Sequence, residues 1–264
     1  MTDTTSHPLS ANNQSQARWR VPAPALAVAA ILVIGLAGYV ALRRDRAGQP
    51  PVSSPRMVAT GVGTIDSLTL PDGTHVILGP LSSITIVKGY GTGRREVELR
   101  GDAFFDIARS SSTPFTTRAL GVTITDVGTS FAVRTDSSTG VSVTVRDGAV
   151  LLKPADTATA STVILGAGQY ALLALNGQAA TRPATEQDIA WMQRRVVFRE
   201  SPMSEVIQAF RQWYGIELRL ADPSLASRHL TATFSGETAE TALEVIRLSL
   251  GADIERRGDT AIVR

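Results

Sequence analysis

The hydrophobic pattern of the chain changes character three times. From Val21 to Leu42 about 22 residues run without a charge, bracketed by Arg18 and Arg20 before and by Arg43, Arg44 and Arg46 after. At 1.5 Å per residue a helix of that length reaches roughly 33 Å, enough to cross a hydrocarbon core of about 30 Å. A cleaved signal peptide would have a shorter apolar run and a small-residue cleavage site, and a buried soluble helix would keep a polar stripe. The run is therefore expected to be a retained single span over 21–42, with Pro22 and Pro24 tolerated in its first turn. Arginines flank both ends, so charge counting gives orientation little support; N-terminus inside is the expectation. Residues 1–20 are rich in Ser, Thr, Asn and Gln and too polar to bury a core, which predicts a disordered tail.

After a linker over 43–56 that holds Pro50, Pro51 and Pro55, short β-rich runs take over. They are expected at His75–Leu78, Ile84–Val87, Glu96–Leu99, Phe104–Ala108, Val122–Asp126, Phe131–Thr135, Val141–Arg146, Ala149–Lys153 and Thr162–Leu165. Asp72-Gly73, Asp147-Gly148 and Asn176-Gly177 punctuate them as turns. Val141–Lys153 reads as a hairpin closed by a type I′ Asp-Gly turn. Residues 57–180 are predicted to form an all-β domain: a barrel, sandwich or roll.

Near Thr185 the period becomes helical. Met203, Val206, Ile207, Phe210 and Tyr214 share one helix face, with Pro202 at its start and Gly215 as its stop. A shift of 36 residues lays Phe198 on Phe234, Val206 on Ala242, Phe210 on Ile246 and Gly215 on Gly251 without a gap. Two tandem β-α-β units over 190–264 follow, expected to pack their helices on one small sheet.

Composition narrows the chemistry. The formal net charge is +2 and the pI near 9.3, without a basic patch interleaved with aromatics that would suit nucleic acid. Zero cysteines exclude disulfides, thiolate metal sites and Cys nucleophiles together. His7, His75 and His229 have no ligand partner at i+4. No nucleophile elbow appears, and Gly61-Val62-Gly63 and Gly91-Thr92-Gly93 lack the residues of a phosphate loop. No enzyme activity, cofactor or metal is expected. Two features stand apart. Trp191 and Trp213 are candidate partner contacts. In Gly128-Thr129, the Thr hydroxyl could attack the preceding carbonyl if the turn is strained, making a self-cleavage site; a glycine that only allows a sharp turn is the alternative.

Several blocks then resemble a known family. Leu70-Pro71-Asp72-Gly73-Thr74, Leu99 to Ala108 with Gly101 and Phe104, Thr113-Pro114-Phe115, Val127-Gly128-Thr129-Ser130-Phe131, Val145 to Val150 with Gly148, and Leu165 to Gln169 with Gly168 are similar to the FecR-type periplasmic domain. The stretch from Ala190 to Arg264 is similar to the short domain at the N-termini of secretins and TonB-dependent receptors. The resemblance implies a single-pass inner-membrane protein with a cytoplasmic N-terminus and periplasmic C-terminal domains. It would relay a signal from the periplasmic domain of a TonB-dependent outer-membrane transducer, often one for an iron–siderophore, to an extracytoplasmic-function sigma factor. Envelope proteases would act in the relay, and Gly128-Thr129 matches a motif that is cleaved in some members. A helical cytoplasmic domain that binds the sigma factor is usual in the family. Residues 1–20 do not supply one, so the gene would start upstream, a separate module would bind the sigma factor, or the protein would sense without inhibiting. The competing function is an anchored structural or assembly module tied to a secretin or transporter.

Overall fold

The computed structural model describes residues 52–109, 113–126, 128–155 and 162–264. The expected tail, span and most of the linker lie outside the described residues. Among the described residues no helix is long and apolar enough to cross a membrane.

The β-rich part is a sandwich of two seven-stranded sheets, and the chain shuttles between them. β1 (Arg56–Ala59) lies in the first sheet, and β2 (Asp66–Thr69) and β3 (His75–Leu78) in the second. β4 (Ser83–Ile86) and β5 (Arg95–Arg100) return to the first, β6 (Asp102–Asp106) to the second, and β7 (Phe115–Ala119) and β8 (Val122–Asp126) to the first. β9 (Ser130–Asp136) and β10 (Gly140–Asp147) belong to the second, β11 (Ala149–Pro154) and β12 (Val163–Gly166) to the first, and β13 (Gln169–Ala174) and β14 (Ala179–Pro183) to the second. Neighbours pair antiparallel except β5 and β7, which are parallel. Period-2 alternation drives this layering. On β5, Arg95, Val97 and Leu99 point inward while Glu98 and Arg100 stay in solvent. One apolar core fills the space between the sheets, with Phe105 stacked on Phe131 at 5.2 Å and tilted against Phe115 at 5.8 Å.

The expected hairpin over Val141–Lys153 does not form. β10 pairs with β9 and β13, whereas β11 pairs with β8 and β12 in the opposite sheet. Asp147-Gly148 is a corner at which the chain crosses the core, not a hairpin turn. Both strands carry alternating apolar residues, and alternation does not say which neighbour a strand chooses. Gly148 has φ +83, and a Cβ there would lie 2.3 Å from Thr129 Cγ2. Gly101 plays the same part at the β5–β6 corner, with φ +89 and Ser82 Oγ 2.3 Å from a hypothetical Cβ. Only glycine fits a positive φ pressed against a neighbouring strand.

The C-terminal lobe holds β15 (Val196–Pro202), α1 (Met203–Tyr214), β16 (Glu217–Leu220), β17 (His229–Phe234), α2 (Ala239–Leu250), β18 (Ile254–Arg257) and β19 (Thr260–Val263). The two β-α-β units are present, and the apolar faces of α1 and α2 are buried in one core. Gly215 and Gly251 both end their helices in the left-handed conformation. The repeat-related Phe198 and Phe234 meet edge-on at 6.0 Å. The expected single sheet is corrected to two. β15 pairs antiparallel with β17, and β16 pairs parallel with β19, which in turn pairs with β18. The cause is β19, a strand outside the 36-residue repeat. It folds back through Gly258 and inserts between the second strands of the two units.

Candidate functional site

The family-like motif residues divide by position. Asp72, in the β2–β3 turn beside Gly73, accepts from Thr74 N at 3.0 Å and from Arg95 Nε at 2.7 Å. Arg95 is 7% exposed, and its other nitrogens donate to Thr113 O and Ala108 O. Its guanidinium also lies 5.7 Å from the Phe115 ring. Asp72, the Thr113 carbonyl and Phe115 therefore surround one buried arginine that ties the β2–β3 turn to the start of β7, with Pro114 between the last two. Phe115 and Phe131 lie in the sandwich core. Gly168 turns the chain between β12 and β13, and Gln169 Oε1 accepts from Gly166 N at 2.7 Å. These residues hold the fold.

Gly128 and Thr129 occupy the corner between β8 and β9. Gly128 has φ +142, in a region that L side chains rarely adopt. The buried Asp126 carboxylate accepts from Gly128 N at 3.0 Å and from Thr129 N at 3.2 Å. Thr129 O accepts from Ile107 N at 3.0 Å. Thr129 is 4% exposed and its hydroxyl has no hydrogen-bond partner. The arrangement fixes the backbone on both sides of Thr129 while leaving its oxygen uncommitted. Sequence reasoning missed Asp126, although an acidic residue accepting from N–H groups two and three positions on is a recognisable turn signal.

Trp191 and Trp213 come together, but inside the chain. The short 3-10 turn Ala190–Gln193 lays Trp191 on the outer face of the second sheet, over the cross-strand pair Phe104 and Ala132. Trp191 is 4% exposed, so it is packed away rather than presented to a partner. Trp213, on α1, is half-buried at the rim of the same cluster. Arg146 stacks over Phe104 at 5.2 Å. This seam joins the sandwich to the C-terminal lobe. Gly63, in the β1–β2 loop, donates its N–H to Gln212 O at 2.9 Å, satisfying a carbonyl at the C-terminal end of α1.

Asp102 sits under the seam at 1% exposure and accepts from Arg134 Nε at 3.2 Å. Burial pushes its carboxyl above the ordinary range, against the pull of Arg134. Asp188 is the reverse case. Burial pushes it up too, but Arg182 grips both oxygens, at 2.9 and 2.6 Å, and Thr185 N donates at 2.7 Å, so its carboxyl is held below the ordinary range. Asp102 and Asp106 do not act together: Asp106 is exposed and accepts from Ser130 Oγ at 2.7 Å. His75 and His229 are exposed on separate strands. Among the described residues no group of His, Asp and Glu is arranged to hold a metal ion.

Comparison with known proteins agrees with this division into two lobes. Residues 56–151 match the family described as FecR protein, and residues 195–263 match FecR, C-terminal. Two crystal structures of a candidate anti-sigma factor from Parabacteroides distasonis, at 2.50 and 1.65 Å, share the fold. Each has a TM-score of 0.70 at 24% identity, over 79% of this chain and 98% of that one. No curated protein sequence matches the chain. With both lobes matched in order over more than half its length, the chain belongs to the FecR family.

Proposed function

We propose that the chain is a membrane-anchored envelope regulator that works by protein–protein contact. Residues 21–42 anchor it in the inner membrane with the N-terminus in the cytoplasm and both lobes in the periplasm. The C-terminal lobe, similar to the short N-terminal domain of secretins and TonB-dependent receptors, receives the periplasmic domain of a TonB-dependent transducer. The signal passes toward an extracytoplasmic-function sigma factor, directly or through a separate module. The anti-sigma description of the structural neighbour belongs to that protein, and it agrees with this reading.

The observation that carries the proposal is the open two-stranded sheet of the C-terminal lobe. β17 pairs on one side only, with β15, and alternates exposed with buried residues. Such an edge suits addition of a partner strand. The test is a pull-down with the periplasmic domain of the transducer, using the chain with and without 190–264. A second variant, Thr233→Pro, keeps the full length of the chain and removes a backbone donor from β17. Binding is expected to be lost in both, and unchanged binding in both rejects this placement. The alternative, an assembly module of a secretin or transporter, would give co-purification with that complex and no transcriptional response to gene deletion.

Scission at Gly128-Thr129 is part of the same reading. Thr129 Oγ attacks the Gly128 carbonyl carbon, the C–N bond breaks, and the hydroxyl proton ends on the Thr129 nitrogen. Water then hydrolyses the ester, leaving a Gly128 carboxylate and a new Thr129 N-terminus. The unpartnered hydroxyl and the unusual Gly128 backbone support this chemistry. The Asp126 carboxylate lies beside the nitrogen that gains charge. Thr129→Ala should yield only full-length protein in membranes where the wild type is cut. If wild type and mutant both stay whole, the scission proposal fails.

A further inference from the structure

The seam between the lobes is closed by few polar contacts. Besides Gly63 N to Gln212 O, the cross-lobe hydrogen bonds among the described residues are Arg195 N to Ala190 O at 3.3 Å beside the hinge, the Gln212 side chain to the Asp102 carboxyl, and Gln208 Nε2 to Thr135 O at 3.5 Å, the limit of a useful distance. Beneath them, Asp102 Oδ1, Trp191 Nε1 and Gln212 Oε1 are buried without any partner. These are three of the six unmatched buried side-chain atoms among the described residues. Asp102 and Trp191 lie against the second sheet, while Gln212 is brought by α1. An unmatched buried polar group favours the state in which water reaches it, by a factor of about five to a hundred each.

Packing at the seam is incomplete as well. A cleft of 190 Å³ runs along it, with Arg134, Asp136 and Tyr170 on the sandwich side and Glu205 and Gln208 on α1. The chain enters the C-terminal lobe through Arg194, a non-glycine residue in the left-handed region at φ +58. Before it, the Arg182–Asp188 pair clamps the chain to the sandwich. A rigid clamp followed by one strained residue is the arrangement of a hinge.

We propose that this seam is a closed state built to open. Residues 195–264 swing away about Arg194, Gln212 and Asp102 become solvated, and Gly63 is the latch. Gly63 suits that part because its φ is +61 and a Cβ would lie 2.9 Å from Trp213 O. The latch loop follows directly on β1, the first strand of the sandwich, so opening is registered at the strand nearest the linker. The inference rests on the proposed relay for its biological use. Its test reads the seam itself, so the two can fail separately.

The experiment uses the full chain in detergent micelles with Trp19→Phe, which leaves Trp191 and Trp213 as reporters. Amide hydrogen exchange is followed at 60–65 and along α1. Gln212→Met keeps the shape and removes an unmatched carbonyl, at the loss of the amide's contact with Asp102. It should slow exchange at the Gly63 amide about tenfold and shift the emission to the blue. Gly63→Ala should speed exchange there at least about tenfold and shift emission to the red, with β9 and β10 still protected. The sign of the Gln212→Met effect decides the matter. Faster or unchanged exchange would mean that the polar groups do not bias the seam toward opening, and would overturn the proposal.

Discussion

Arg134 and Asp102 face each other across β9 and β6 at 3.2 Å, and their exposures differ sharply: the Arg134 side chain is 38% exposed and the Asp102 side chain 2%. Removing one partner is therefore not equivalent to removing the other. Arg134→Ala strands a buried carboxylate and should cost about 3 kcal/mol or more. Asp102→Asn leaves an arginine that can turn to water, and should cost about 1 kcal/mol. Chemical denaturation of the two variants and the double mutant measures the difference. Equal costs would show that Asp102 has access to solvent.

The two unusual carboxyls give opposite pH dependences. Asp188 is held below the unfolded value of about 4, so its contribution is present above that pH and is lost as pH falls through its folded value. Asp102 is raised, so its contribution is present below about pH 4 and is lost as pH rises through its folded value. Asp188→Asn should cost about 1.5–3 kcal/mol at neutral pH and flatten the acid limb of the stability profile. Asp102→Asn should flatten the limb above pH 4. Stability measured against pH in the two variants checks both signs.

Scission at Gly128 should leave the pieces together. The cut falls between β8 and β9, and each sheet is then held by one ladder, β8 with β11 and β6 with β9. Phe105 of the first piece remains stacked on Phe131 of the second. The expected outcome is two bands under denaturing conditions and one species in native gel filtration. Asp126→Asn should slow scission about tenfold or more, because the charge beside the Thr129 nitrogen is gone. Separation of the pieces without denaturant would mean that the ladders do not hold them.

How far the sequence carried depends on the range of each interaction. β3 and β8 match their expected runs, and the stripe and glycine stop of α1 match too, because period and capping are local. β1, β2, β7, β13 and β14 went unpredicted. β1, β2 and β14 are edge strands with mostly exposed residues, so they lack the alternation that marks a half-buried strand. β7 alternates cleanly, yet its run of Thr and Arg hid that. The exchange of strands between sheets was invisible, since Val141–Lys153 carries a hairpin pattern and makes a crossing. In the candidate site, the sharp turn at Gly128 was legible from the glycine itself. The seam was not: Trp191 and Trp213 drew notice as aromatics, but what buries Trp191 is the sheet face presented by Phe104 and Ala132, which no local pattern connects to it.

The corner glycines supply the last prediction. Gly148 lets the chain turn from β10 into β11 directly against Thr129. Gly148→Ala asks for a positive φ of an L residue and drives a methyl to 2.3 Å from Thr129 Cγ2. The left-handed conformation alone costs about 1 kcal/mol, and the clash adds strain, so a loss of about 2–4 kcal/mol is expected. The relief available is a shift of Thr129, which moves its hydroxyl relative to the Gly128 carbonyl. Gly168→Ala is the control, because its φ of +74 is as demanding while nothing lies within 4 Å of the added Cβ. It should cost about 1 kcal/mol and leave scission at Gly128-Thr129 unchanged. Thermal unfolding and the fraction of cut protein, read in the same two variants, separate the strain of the turn from the contact with Thr129. If Gly168→Ala alters scission as much as Gly148→Ala, the Thr129 contact has no part in it.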